Sequence, residues 1–190
     1  MIEKNDKVKV QDNFLPKEEF VILRDTLLGQ PFPWHFNTII VDADDDKETT
    51  PGFLCHQIYN TNIPRSPYFN SHFIPLLEAL DVDVLLRIQI NLNWRLPKPF
   101  FNRFHVDRQR LMGEDFIAQW LTSIFYINTN NGYTELETGE KIESVANRLV
   151  TYPLNIMHRG VTQTDTQQRV VVNINYLSDV EERESLKENT

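Results

Sequence analysis

Three features of this 190-residue chain predict a mainly β domain with supporting α-helices. From Asp83 onward, short apolar–polar alternations recur with turn residues between them, as in a barrel or sandwich of short strands. Two stretches of helical spacing precede them. The alternating segments have one greasy face and one polar face, which suits a wall with a core behind it and a polar ligand in front. Together these read as a double-stranded β-helix, or jelly roll, with helices supporting one face.

The elements follow in order. Lys7-Val-Lys-Val-Gln11 alternates as a strand, and Asp12 and Asn13 break it. A helix is expected from about Pro16 to Leu28. Pro16 suits its first turn, Glu18 and Glu19 complement the positive end of its dipole, and Gly29 suits its exit. Phe20, Leu23 and Leu27 recur at helical spacing and should face the sheet. Trp34 to Val41 and Phe53 to Tyr59 read as strands, joined by a charged loop over 42–50 in which a lid role has no support. His72 to Leu80 reads as a helix, with Pro75 tolerated near its start. In Arg87-Ile-Gln-Ile-Asn-Leu-Asn-Trp94, Ile88, Ile90, Leu92 and Trp94 take one face. Arg87, Gln89, Asn91 and Asn93 take the other, and Asn91 and Asn93 are candidate pocket residues. The last alternation puts Arg169, Val171, Asn173 and Asn175 on one face and Val170, Val172, Ile174 and Tyr176 on the other.

Composition bounds the function. A single domain over 1–178 is expected, with its β core at about 84–176 and a charged, fraying tail over 179–190. The one cysteine, Cys55, excludes an internal disulfide and fits a reducing, cytoplasmic setting. It reads as a small buried hydrophobe. The first residues are too polar for a signal peptide, and no apolar run is long enough to cross a membrane. A net charge of −8 makes nucleic acid an unlikely partner for the surface as a whole. Yet Arg87, Arg95, Lys98, Arg103, Arg108 and Arg110 fall between Val84 and Arg110, where Asp107 is the only acid. These bases either pair with acidic loops over 42–46 and 135–143 or receive an anionic substrate. Arg108 and Arg110, just past Asp107, are the candidates for substrate contact.

The chemistry rests on His105, Asp107 and His158, the last 51 positions after Asp107, followed 11 positions later by Arg169. A bare His-x-Asp is a weak signal. Its setting strengthens it. Phe101-Asn-Arg-Phe-His-Val-Asp107 alternates as a strand, so period-two geometry puts His105 and Asp107 on one face. His158 follows the strand-like Arg148-Leu-Val-Thr-Tyr152, and Gly160 just beyond it suits a turn. Two imidazoles and a carboxylate can occupy one face of an Fe(II) ion and leave three positions open, for a bidentate co-substrate and dioxygen. An arginine nearby would hold the far carboxylate of that co-substrate. His35, His56 and His72 have no ligand-like partner at suitable spacing and read as packed or surface residues.

From about Val84 to Tyr176 the chain resembles the iron(II)/2-oxoglutarate-dependent dioxygenases, most of all the prolyl-hydroxylase-like branch of microbes and their phages. Ile124-Phe-Tyr-Ile-Asn128 resembles the strand that follows the family's His-x-Asp. Asn131-Gly-Tyr-Thr-Glu135 is similar to its Gly-Gly-x-Thr hairpin, with one glycine kept. The resemblance implies Fe(II) held by His105, Asp107 and His158. It further implies 2-oxoglutarate held by Arg169 and Tyr126, O2 at the remaining position, and hydroxylation of a substrate C–H bond with release of succinate and carbon dioxide. Val171 stands where some branches carry a serine after the arginine. The carboxylate at 107 is the ligand that related halogenases lack. The implied substrate is a peptide or small molecule, first a prolyl or other amino-acid residue, then a small anionic metabolite. The alternative is a cupin-like metal-binding jelly roll acting as an isomerase or a non-catalytic module. Such a protein would not need a cation after its last histidine. The oligomeric state is not legible in the sequence.

Overall fold

The structure, a computed structural model, describes residues 8–37, 51–107 and 120–178. Its elements in chain order are β1 (Lys9–Gln11), α1 (Lys17–Leu28), β2 (His35–Asn37), β3 (Phe53–Asn60), β4 (Ile63–Pro64), a π-helical turn (Phe69–Phe73), α2 (Ile74–Ala79), β5 (Val84–Trp94), β6 (Leu121–Tyr126), β7 (Tyr133–Leu136), β8 (Lys141–Glu143), β9 (Arg148–Pro153), β10 (His158–Val161) and β11 (Gln168–Leu177). The charged loop over 42–50 with its acidic residues over 42–46, Arg108, Arg110 and the tail over 179–190 lie outside the described residues.

Two antiparallel sheets form the jelly roll. The larger runs β1-β9-β6-β11-β5-β3-β2, with β4 on β3, and the smaller runs β10-β7-β8. β11 lies between β5 and β6 and is the longest-paired strand of the large sheet. Its alternation divides the molecule as the sequence predicts. Val170, Val172, Ile174 and Tyr176 enter a core with Ile88, Ile90 and Leu92 of β5 and Phe20, Leu23 and Leu27 of α1. Val171, on the opposite face, joins Ile124, Tyr126, Val150 and Tyr152 against Leu136 and Ile142 of the small sheet.

Local chemistry explains the joints. α1 is capped by Pro16, which precedes the helix rather than lying in its first turn. The segment expected as a helix over 72–80 begins earlier, in the π-helical turn, and becomes regular at Ile74 with Pro75 in its first turn. The entry to α1 is tied to the sheet by Asn147. Its amide accepts from Leu15 N (2.9 Å) and donates to Leu15 O (2.8 Å). Asn147 stands at φ 62°, a left-handed conformation that asparagine tolerates better than most residues. Cys55 is half-buried rather than sealed in the core.

The layering makes a simple prediction for β5. Ile90 is fully buried on the helix-facing side. Ile90→Ala should cost about 2–5 kcal/mol of stability through lost burial and the cavity left behind. Urea unfolding followed by circular dichroism measures this, and a loss below about 1 kcal/mol would contradict the layering.

Candidate active site

The cluster of His105, Asp107 and His158 is built where the stretch after β5 crosses β10. The sequence predicts a strand over 101–107, but the structure has an extended stretch that bridges β10 at two points, Phe101↔Val161 and His105↔His158. Four residue steps on one side match three on the other. The extra residue breaks the ladder, as in a β-bulge. The second bridge is closed on both sides, with His105 N donating to His158 O (3.0 Å) and His158 N to His105 O (2.9 Å). It sets the two imidazoles side by side, ring centroids 4.5 Å apart. Asp107 joins them, and the ligand atoms of all three residues lie within 4.8 Å of one another.

Hydrogen bonds and charge orient the three residues. His105 Nδ1 donates to Arg103 O (3.1 Å), which leaves Nε2, 4.0 Å from Asp107 Oδ1, as the ring nitrogen facing the cluster. Burial, with repulsion from His105, pushes the His158 pKa down to about 4, so the ring is neutral near pH 7. Burial disfavours charge on Asp107. The Arg87 guanidinium, His158, His105 and Asn175 nonetheless hold its carboxyl well below the usual carboxylate range. Asn175 Nδ2 donates to Asp107 Oδ2 (3.1 Å) and to Thr122 Oγ1 (3.1 Å), which fixes the carboxylate's orientation.

The cluster opens on a cavity of about 90 Å³ between the sheets. Arg87, Gln89, Asn91, Asn93, His105, Asp107, His158, Arg169 and Asn173 are among its lining residues. At its far end Arg169 is 3% exposed. Its Nε donates to Ser144 Oγ (2.9 Å) and its Nη2 to Thr134 Oγ1 (3.4 Å). Gly132 lies under the arginine stem. A Cβ there would stand 2.8 Å from Arg169 Cδ and 2.9 Å from Val161 O, so the retained glycine of the hairpin leaves room for the side chain. Among the described residues no carboxylate pairs with Arg169. Burial lowers its pKa, the cost of keeping a cation dry.

The predicted site residues fall in three places. Asn93 and Asn91 line the cavity on β5, directly opposite Arg169 and Val171 of β11. Tyr126 stands behind the wall. Its fully buried hydroxyl donates to Thr134 Oγ1 (2.8 Å), and its ring lies 5.7 Å from Arg169 Cζ. Gly160, expected in a turn, lies within β10. His56 is buried and hydrogen-bonded to Ser66 (2.9 Å), away from the cavity. Of the acidic residues over 135–143, Glu135 pairs with Arg159 (2.6 Å) and Lys141 (3.8 Å), both outside the basic run. Arg87 of that run turns to Asp107 instead. The sequence reading named Arg87 only as one of six bases that pair with acidic loops or receive an anionic substrate, and did not single out Gln89, Asn173 and Asn175, although the alternation of β5 and β11 puts all four on the cavity side. Ser144 carried no such signal, and Thr134 only that of the hairpin motif over 131–135.

No protein-family model and no curated protein matches the sequence. Solved structures do. A prolyl-4-hydroxylase from Pseudomonas putida is similar with a TM-score of 0.58 at 15% identity, over 92% of this chain and 94% of that one. A 2OG-Fe(II) oxygenase family oxidoreductase from Burkholderia pseudomallei has a TM-score of 0.60 at 10% identity, over 90% and 86%. The Trichoplax adhaerens prolyl hydroxylase, in complex with a hypoxia inducible factor peptide fragment, has a TM-score of 0.58 at 12% identity, over 94% and 86%. The chain has the 2-oxoglutarate/Fe(II) oxygenase fold. On that fold, the His-Asp-His cluster forms a possible metal site at the mouth of the inter-sheet cavity. No helix among the described residues is long and apolar enough to cross a membrane.

Two measurements test this geometry. Asn175→Leu should weaken Mn(II) binding by about 10–100-fold, because the carboxylate ligand loses its orienting donor. A titration followed by electron paramagnetic resonance reads this directly. The metal-free protein should lose stability as pH falls from about 6.5 to about 4, by up to about 3 kcal/mol, because the unfolded chain takes up the His158 proton more readily than the folded one. Denaturation across that range should show a flatter profile in His158→Gln.

Proposed function

We propose that this chain is an Fe(II)- and 2-oxoglutarate-dependent dioxygenase. Its substrate is a peptide or small molecule, and the reaction hydroxylates a C–H bond, a prolyl or other amino-acid residue being the first candidate. The observation that carries the reading is Arg169: a buried guanidinium without a carboxylate among the described residues, in the same cavity as the His105 and His158 imidazoles and the ionised Asp107 carboxylate. An unpaired buried charge is costly, and a carboxylate-bearing ligand removes the cost.

The residues divide the work. His105, Asp107 and His158 would hold Fe(II) through two nitrogens and one oxygen, the donor set suited to that ion with open positions. Bound iron and 2-oxoglutarate supply the oxidative decarboxylation that yields succinate, carbon dioxide and the oxidant for the substrate. Arg169 would hold the far carboxylate of 2-oxoglutarate by charge-assisted hydrogen bonds. Ser144 and Thr134 fix its guanidinium, and Tyr126 fixes Thr134. Gly160 supports the spacing: it lies two residues past His158 on the same face, about 6.6 Å along the strand, and its Cβ position is 3.9 Å from Arg169 Nη1. The distance from ligand cluster to cation is therefore of the order that a five-carbon dicarboxylate bridges. Val171 and Ile124 offer apolar surface to its methylenes.

The test is anaerobic titration of the Fe(II)-loaded protein with 2-oxoglutarate. The reading expects the weak visible charge-transfer band of the chelate. That band should be absent in His158→Ala. Arg169→Ala should weaken 2-oxoglutarate thirty-fold or more, as loss of one partner of a buried charge pair does, with iron affinity nearly unchanged. Iron binding without a band would favour a cupin-like metal module.

A further inference from the structure

One charged group of the cavity has no part in this reading. Arg87 projects from β5 into the metal end of the cavity, its side chain 14% exposed. Its Nη1 is 3.4 Å from Asp107 Oδ1, and its Nη2 donates to Gln89 Oε1. Gln89 in turn donates to Asn91 Oδ1 (2.9 Å), so the polar row of β5 is linked side chain to side chain and orients the guanidinium at its end. A guanidinium has five N–H donors. Among the described residues Asp107 is the only carboxylate that reaches Arg87.

The charge balance of the cavity is uneven. Its described lining residues include two guanidiniums, Arg87 and Arg169, and one carboxylate, Asp107. A divalent ion and a dicarboxylate leave one positive charge uncompensated. In a water-poor cavity that surplus favours an anionic third component.

Asn173 gives the second observation. It is 8% exposed, lines the cavity, and its Oδ1 is buried without a hydrogen-bond partner. An unsatisfied buried acceptor is unfavourable until a donor reaches it. Asn173 lies opposite Gln89, and Arg87 lies opposite Asn175. Arg87 and Asn173 are thus diagonal neighbours across two paired strands, roughly 7–8 Å apart at the backbone, with side chains on one face. Gln89, Asn91, Asn93, Asn102 and Asn173 give the wall five amides against the apolar Phe53, Ile124 and Val171. An all-carbon ring docked there would leave Asn173 Oδ1 unpaired.

We infer that the substrate carries a free α-carboxylate with an N–H beside it, the carboxylate received by Arg87 and the N–H accepted by Asn173 Oδ1. The inference rests on the dioxygenase reading and narrows its substrate class. A free amino acid, proline included, and any C-terminal residue of a peptide other than proline, whose peptide nitrogen carries no hydrogen, share this chemistry.

The experiment starts from the anaerobic Fe(II)–2-oxoglutarate complex and follows its visible band as three sets of compounds are added: the common L-amino acids, their N-acetyl derivatives and their primary amides. Perturbation by a free acid points to an amino-acid substrate, and perturbation by an N-acetyl acid alone points to a peptide C-terminus. Either supports the inference if the matching amide acts at least ten-fold more weakly. Arg87→Gln should erase that preference, and Arg87→Lys should keep part of it. Mn(II) affinity measured on the same variants separates loss of substrate from loss of metal. The inference is overturned if the band forms and amides match acids, or if no acid perturbs it. If the band never forms, the dioxygenase reading falls and takes the inference with it.

Discussion

The register of β11 governs both halves of the molecule. It is paired on each side, with β5 and with β6, so it cannot shift without breaking two ladders. Its even-numbered residues from Val170 to Tyr176 fill the core under α1. Its odd-numbered residues supply the cavity's cation (Arg169), an apolar wall (Val171), an unpaired acceptor (Asn173) and the clamp on Asp107 (Asn175). A slip of one residue would exchange these sets, driving a guanidinium into the helix-backed core and valines into the cavity. Packing thus enforces the site: the hydrophobic energy that seats α1 also fixes which side chains face the His-Asp-His cluster.

The small sheet closes the cavity from the other side. β10 carries His158 and Gly160, and β7 carries Thr134. Neither strand is long, yet between them they place a ligand and a polar contact for Arg169. The Arg169 stem passes where Gly132 has no side chain. The cation therefore reaches the cavity along a path defined by what is missing as much as by what is present.

Much of this was legible in the sequence. The alternations of β5 and β11 gave the faces correctly because period two follows directly from strand geometry and one face of each strand is apolar. The spacing of Phe20, Leu23 and Leu27 located the buried side of α1 for the same kind of reason. The elements that escaped notice are those set by tertiary contact. The stretch over 101–107 alternates like a strand, but an extra residue opposite β10 breaks its ladder, and no local pattern encodes that mismatch. Gly160 resembled a turn residue because glycine usually marks one. Its place inside β10 follows from pairing with Thr134 of β7, which is distant in sequence. Tyr126 entered the sequence reading only through the resemblance, as a residue that would hold 2-oxoglutarate. That its hydroxyl is used by Thr134 depends on the small sheet folding over it.

The two-point attachment of the 101–107 stretch to β10 has a thermodynamic consequence. His105 and Asp107 sit on chain held to the sheet by few backbone bonds, while His158 belongs to a paired strand. An ion shared by the three would act as a cross-link, tying that stretch to the small sheet and closing the long intervening loop. Part of its binding energy would then appear as resistance of this corner to opening. Hydrogen exchange at His105 and its neighbours would slow in proportion to occupancy, so that the metal behaves as a removable structural brace as well as a reagent.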